Sequence, residues 1–339
     1  MNWSWYRELY KIGSVTGIKA VTVRMTMAVG VPLIGGLLLG QPAAAVAGGA
    51  TALFVTMSDI GTTARIRLST MGAGWIAIVA GGTLGHLLGG TPHANEYVVF
   101  ASAIVAGWAS GSYPGIAAIT RYFAVATAAG TGMRFADPAV LLSLVAGGAS
   151  AFGAAFLAWQ WFGLPPADNV IDWRSGVRRA FAGADAGPRF TLCYAAAASV
   201  ALFAASALRV SDAYWAALVV LMVMRREGTV SIELNVQYAL GTLAGVSVAA
   251  AILHWLDNPL ALAVLATTVA AFARVGFAVN PMFGFMSFTM FLLFVAHLPG
   301  AGVPPHLLGT RIYDVSVGCL LALAGTLAAT YPRFERRGD

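Results

Sequence analysis

Four ionisable side chains stand inside otherwise apolar runs: Arg121, Arg274, Arg311 and Asp314. A charge at the centre of a membrane helix costs roughly 2.5–3.5 kcal/mol on insertion scales, so such residues face protein or water and mark transport paths. Arg121 follows Pro114 by seven residues, and Arg274 precedes Pro281 by seven. Both prolines read as turns between the fourth and fifth helices of two halves. At a rise of about 1.5 Å per residue each arginine then lies about 10 Å deep from the same face. The spacing predicts that they share a depth on helices that correspond under an internal repeat. A guanidinium donates two parallel hydrogen bonds to a carboxylate, so the pair points to a vestibule that gathers organic anions. The competing reading has each arginine snorkelling to headgroups or bonding backbone carbonyls.

Arg311 and Asp314 are three residues apart and share a helix face. As a buried pair they lock packing. As a switch, protonation of Asp314 frees Arg311 for substrate, although the neighbouring cation opposes proton uptake. The run from Asn280 is rich in Phe and Met, with Phe285 and Phe288 able either to accept aromatic solutes or to pack against lipid and core. Tyr214 and Trp215 open a short apolar run, as an aromatic belt or as pore lining. His86 and His254 sit at the outer ends of two runs, where proton relay competes with a plain interfacial place. The five histidines lack zinc spacing, and Cys193 and Cys319 lie in apolar runs as small fillers. There is no GxxxxGK[ST] pattern and no readable nucleophile or paired-carboxylate constellation. No enzyme, cofactor or metal is expected.

The elements that position these groups are membrane helices. Of 339 residues 59% are hydrophobic and 10% charged, with a mean hydropathy of +0.77. Soluble domains carry roughly 25% charge. Apolar runs near 20 residues suit helices, whereas barrel strands alternate over about ten. The spans read as 20–39, 41–58, 68–89, 96–112, 115–132, 138–162, 190–208, 213–224, 235–256, 258–278, 281–298 and 307–330. The fold class is an all-α integral membrane protein of about twelve helices in two parallel six-helix repeats, without a large soluble domain. Gly61-Thr62 answers Gly228-Thr229, His86 answers His254, and Arg24 answers Arg189, at an offset of roughly 165–168 residues. The units are an amphipathic interfacial segment 1–19, a first repeat 20–162, a linker 163–188, a second repeat 189–332 and a basic tail 333–339. The N-terminus does not read as a secretory signal. The net charge of +6 lies in loops on one side, which argues for topology with both termini cytoplasmic rather than for nucleic-acid binding.

Arg189, Tyr214, Trp215, Gly228, Thr229, Gly241, Thr242 and Gly245, in that order and spacing, resemble the fusaric-acid-resistance-like family. This family includes aromatic acid exporters and is similar in plan to aluminium-activated malate transporters. The final span resembles the family's closing helix through Arg311, Asp314, Gly318 and Pro332. Where the family often has an arginine before Leu-Gly-Thr, this chain has Gln237 and Tyr238. The resemblance implies a secondary transporter that exports organic anions, aromatic carboxylates in particular, from the bacterial cytoplasm. It implies a membrane-fusion (periplasmic adaptor) partner; with no nucleotide site readable, the proton-motive force is the expected energy source, and a homo-oligomer is left open. Arg121, Arg274, Tyr214, Trp215, Phe285 and Phe288 are the expected substrate-binding set. An anion channel of the malate type, or a non-transporting subunit of an efflux assembly, is the alternative.

Overall fold

The computed structural model describes residues 17–89, 93–132, 138–164, 173–182, 187–208, 213–299 and 307–330. Thirteen helices and no strand occur among them. The first group is α1 (Ile18–Leu38), α2 (Pro42–Met57), α3 (Ala64–Leu88), α4 (Ala94–Ala109), α5 (Pro114–Gly132) and α6 (Pro138–Phe162). A short helix, α7 (Trp173–Ala182), falls in the linker. The second group is α8 (Pro188–Ala207), α9 (Tyr214–Val223), α10 (Gly228–Leu253), α11 (Pro259–Val279), α12 (Pro281–Ala296) and α13 (Leu307–Thr330). The amphipathic segment expected before residue 17 and the basic tail lie outside the described residues.

Local chemistry sets the starts. Proline occupies the first position of α2, α8, α11 and α12, where its missing N–H costs nothing and its fixed φ suits the helix. Asn258 accepts from the Ala261 N–H, Asn280 from Met282 and Thr63 from Ile66, so three helix starts have side-chain caps.

Seven helices, α1, α3, α6, α8, α10, α11 and α13, are long and apolar enough to cross a membrane. Helices α2, α9 and α12 are apolar but shorter. The ten residues of α9 reach only about 15 Å, half of a hydrocarbon core about 30 Å thick. All of them except Met222 are buried, so α9 is enclosed by other helices instead of lipid.

Helix α3 packs along α5, and α10 along α12. Glycines allow these close approaches: a Cβ on Gly81 or Gly85 would strike the backbone of α5 at Phe123 or Thr127. One on Gly241 or Gly245 would strike the Met282 or Met286 carbonyl of α12. Helices α1, α2 and α6 form one cluster and α8, α9 and α13 another. The groups join where α1 meets α11, α4 meets α8 and α5 meets α9; Ser199 of α8 donates to the Glu96 carbonyl of α4 at 2.9 Å.

Two expectations need correction. Arg121 is the eighth residue of α5 and Arg274 the sixteenth of α11, so they stand on the fifth and fourth helices of their groups, not on equivalent ones. Proline starts the helix after each turn; Arg121 follows its turn and Arg274 precedes its own. Arg24 and Arg189 are not equivalent either. Arg24 is the buried seventh residue of α1, and Arg189 the exposed second residue of α8, donating to the Ala328 carbonyl at 2.7 Å.

Candidate functional site

At one end of the bundle the starts of α1, α3, α8 and α10 meet the ends of α2, α9, α11 and α13. Two helices stop there and give way to extended or turning backbone. Helix α2 stops at Met57, and Asp59 follows two residues later, fully buried. Arg24 of α1 donates through Nη1 to one carboxylate oxygen of Asp59, and Arg67 of α3 through Nη1 to the other at 3.2 Å. Both arginines are buried. Ion pairs this deep hold only when charge and hydrogen bonds are matched, because desolvation offsets the Coulomb gain.

Arg274 arrives from α11. Its Nη1 donates to the carbonyls of Thr56 at 3.1 Å and Met57 at 3.3 Å, and its Nη2 to that of Asp59 at 3.3 Å. The last carbonyls of a helix lack partners within the helix and carry the negative end of its dipole, which a guanidinium satisfies on both counts.

Helix α9 stops at Val223, and Arg225 follows two residues later. Its side chain is half-buried. Its Nη1 donates to the Met224 carbonyl at 3.1 Å, and its backbone N–H to Ser231 Oγ at 3.2 Å. Tyr194 of α8 donates its hydroxyl to the Leu221 carbonyl at 2.9 Å and also shares a hydrogen bond with Arg121 of α5. Burial first, then the Arg121 guanidinium, pushes Arg225 down to about 9, while Tyr194, Tyr122 and Glu227 pull the other way. Two cations are thus crowded at this end of α9.

Aromatic rings fill the space between the groups. Phe54 of α2 lies 5.4 Å from Tyr122 of α5 and 5.9 Å from Phe288 of α12, ring centre to ring centre. Phe285 sits edge-on to Tyr238 at 4.7 Å and to Phe277 at 4.9 Å. Phe285 and Phe288 are both buried, so they face protein and not lipid.

A second charged cluster lies within the helices. Arg311, 2% exposed, donates through Nη2 to the Tyr238 hydroxyl at 3.0 Å, and its guanidinium stands 4.5 Å over the Trp215 ring. Its Nε and Nη1 meet no hydrogen-bond partner among the described residues. Asp314, one turn along α13, is fully buried. Tyr214 and Trp215 are buried too, their rings 5.1 Å apart, so they form core at the start of α9 and no aromatic belt.

The family model described as fusaric acid resistance protein-like matches residues 200–325. Over that segment the chain is similar to this family. No curated protein and no solved structure matches it. The match points to a part in membrane transport or efflux.

The matched segment contains Arg225, the aromatic pair of α9, Arg274, and the cluster of Arg311 with Tyr238. Its Leu-Gly-Thr motif is structural: Gly241 and Gly245 press α10 onto α12, and Thr242 lies 3.4 Å from Thr289 across that seam. Tyr238, standing near the place where the family often has an arginine, receives the hydrogen bond from Arg311. Of the charged groups at this end, the sequence marks Arg24 only as a repeat position and does not single out Asp59, Arg67 or Arg225. Their signal was available, since Asp59 is an acid amid basic residues, but the pairing crosses three elements. His86 lies in the last turn of α3, and His254 follows α10 beside exposed Trp255. Cys193 and Cys319 are free thiols. Among the described residues no group of three metal-ligating side chains occurs.

Proposed function

We propose that the chain is a secondary transporter, not an enzyme, that exports organic anions across the bacterial inner membrane. Aromatic carboxylates are its main substrates and the proton-motive force its energy source. The observation that carries this reading is the guanidinium excess at one end of the bundle. Arg24, Arg67 and Arg274 gather there on the buried Asp59, and Arg121 and Arg225 stand together at the end of α9. Arginine concentrated at a mouth raises the local concentration of anions. The basic end faces the cytoplasm by the positive-inside rule, which puts both termini inside.

A plan of two parallel repeats draws support from matched packing. Helices α1–α6 and α8–α13 share their main pairings, and two of the three joining contacts, α1 with α11 and α8 with α4, exchange under the repeat; the third, α5 with α9, does not. In such a plan solutes cross between the halves, where Phe54, Tyr122 and Phe288 would accept a ring. Arg121 and Arg274 draw in the anion, and Arg311 with Asp314 forms the proton-linked switch further along. A periplasmic adaptor extends the route outward.

Purified chain in proteoliposomes is expected to carry benzoate, with flux that rises under an imposed pH gradient. Currents through single open pores, indifferent to that gradient, would replace the carrier by a malate-type channel. Absence of any flux would leave only a scaffold.

A further inference from the structure

The breaks after α2 and α9 are built to one pattern with one charge reversed. Asp59 and Arg225 each lie two residues past their helix. Arg67 and Ser231, which contact them, are each the fourth residue of the next helix, α3 or α10. Arg24 and Tyr194 are each the seventh residue of α1 or α8. In the first break the set is Arg24, Asp59 and Arg67, a carboxylate held by two guanidiniums. In the second it is Tyr194, Arg225 and Ser231, with Arg121 brought in by its hydrogen bond to Tyr194.

We infer that the second break is a binding site for a carboxylate from solution, seated on Arg225 and Arg121 where the first break uses its own Asp59. Three features favour this. The first break shows the geometry that this backbone gives to a carboxylate among arginines. The second has guanidiniums on two helix systems, α5 and the end of α9, with Arg121 close enough to disfavour the charge on Arg225. The acid acting on Arg225 is Glu227, which is exposed and weaker in effect than Arg121. Both arginines are only half-buried, so a solute can reach them. Tyr122, next to Arg121 and in ring contact with Phe54, offers an apolar wall for the rest of the molecule. A phosphate shares this chemistry and could come from a lipid headgroup; the half-buried, tyrosine-walled position suits a small solute better. The site takes from the transport reading only the source of its ligand.

The test uses the full chain in phosphatidylcholine nanodiscs, titrated with benzoate and with benzamide, which keeps the ring and loses the charge. Phenylglyoxal labelling of arginines, read by mass spectrometry, locates the contact. Benzoate and not benzamide is expected to shield Arg225 and Arg121. Arg225→Gln is expected to weaken benzoate binding about tenfold, the loss of one charged hydrogen bond. Arg225→Asp puts a carboxylate of the chain's own beside Arg121 and removes the clash of two cations, so it is expected to melt no lower than wild type and to lose benzoate binding. Equal shielding by benzamide, or unchanged binding in both variants, overturns the site. So does shielding by phosphatidylglycerol in the nanodisc with none by benzoate, which assigns the arginines to a lipid phosphate. Flux separates this claim from transport. A wild-type chain that binds benzoate at Arg225 without carrying it keeps the site and loses the transporter. One whose Arg225→Asp form carries benzoate at the wild-type rate keeps the transporter and loses the site.

Discussion

Asp59 and Arg225 occupy the same place past two helix ends, and they carry opposite charges. The chain therefore gives one break a carboxylate of its own and leaves the other without one. The first break is a fixed joint, and the second holds the inferred anion site.

Asp59→Asn tests the joint. The change leaves Arg24 and Arg67 buried without their counter-charge, and breaking a buried pair costs about 3–5 kcal/mol. A fall in the thermal midpoint in detergent, larger than for Glu227→Gln at the exposed second loop, is the expected result. Equal midpoints for the two variants would show that the buried cluster carries no stability.

Arg274→Gln tests the cap on α2. Three carbonyls, of Thr56, Met57 and Asp59, lose a charged donor, worth about 1.5–3 kcal/mol for such a bond. Hydrogen exchange should quicken over residues 56–61 and stay unchanged in α6. An effect confined to α11 would contradict the cross-group role.

Little of this cap was legible in the sequence. Arg274 stood out because a charge inside an apolar run is conspicuous. Its acceptors did not, since backbone carbonyls have no sequence signature and these lie more than 200 positions away. Asp59 and Arg67 fell in a stretch that reads as a loop, where charges are ordinarily assigned to topology. The shortness of α9 was readable from the run 213–224, because its polar flanks are close together. Its complete burial was not, since an apolar run faces lipid or protein with the same composition. Periodicity found the helices; partners across the bundle set the site.

Gly245→Val tests the α10–α12 seam. The new side chain would meet the Met286 carbonyl and Thr289, and overpacking of this kind costs about 1–3 kcal/mol. Gly153→Ala, where no atom lies within 4 Å of the new Cβ, is the control and should melt at or above wild type. Similar losses in both would indicate that helix flexibility, not contact, governs stability.

Tyr238→Phe tests the Arg311 cluster. It removes the acceptor of Nη2 and leaves another guanidinium nitrogen unsatisfied in the core, at a cost of about 1–3 kcal/mol. The double change Arg311→Met with Asp314→Leu deletes both buried charges and should be neutral or stabilising by comparison. Under the transport reading the double variant also loses the response of benzoate flux to a pH gradient. A double variant that keeps that response removes this pair from energy coupling.

Arg274 closes the end of a helix made 218 residues earlier. During synthesis α2 enters the bilayer long before α11 exists, with its terminal carbonyls still open. The end of α2 must therefore wait, incomplete, until α11 has been inserted. Biogenesis of this protein is not a matter of finishing one half and adding the other: the last stages of assembly complete the first.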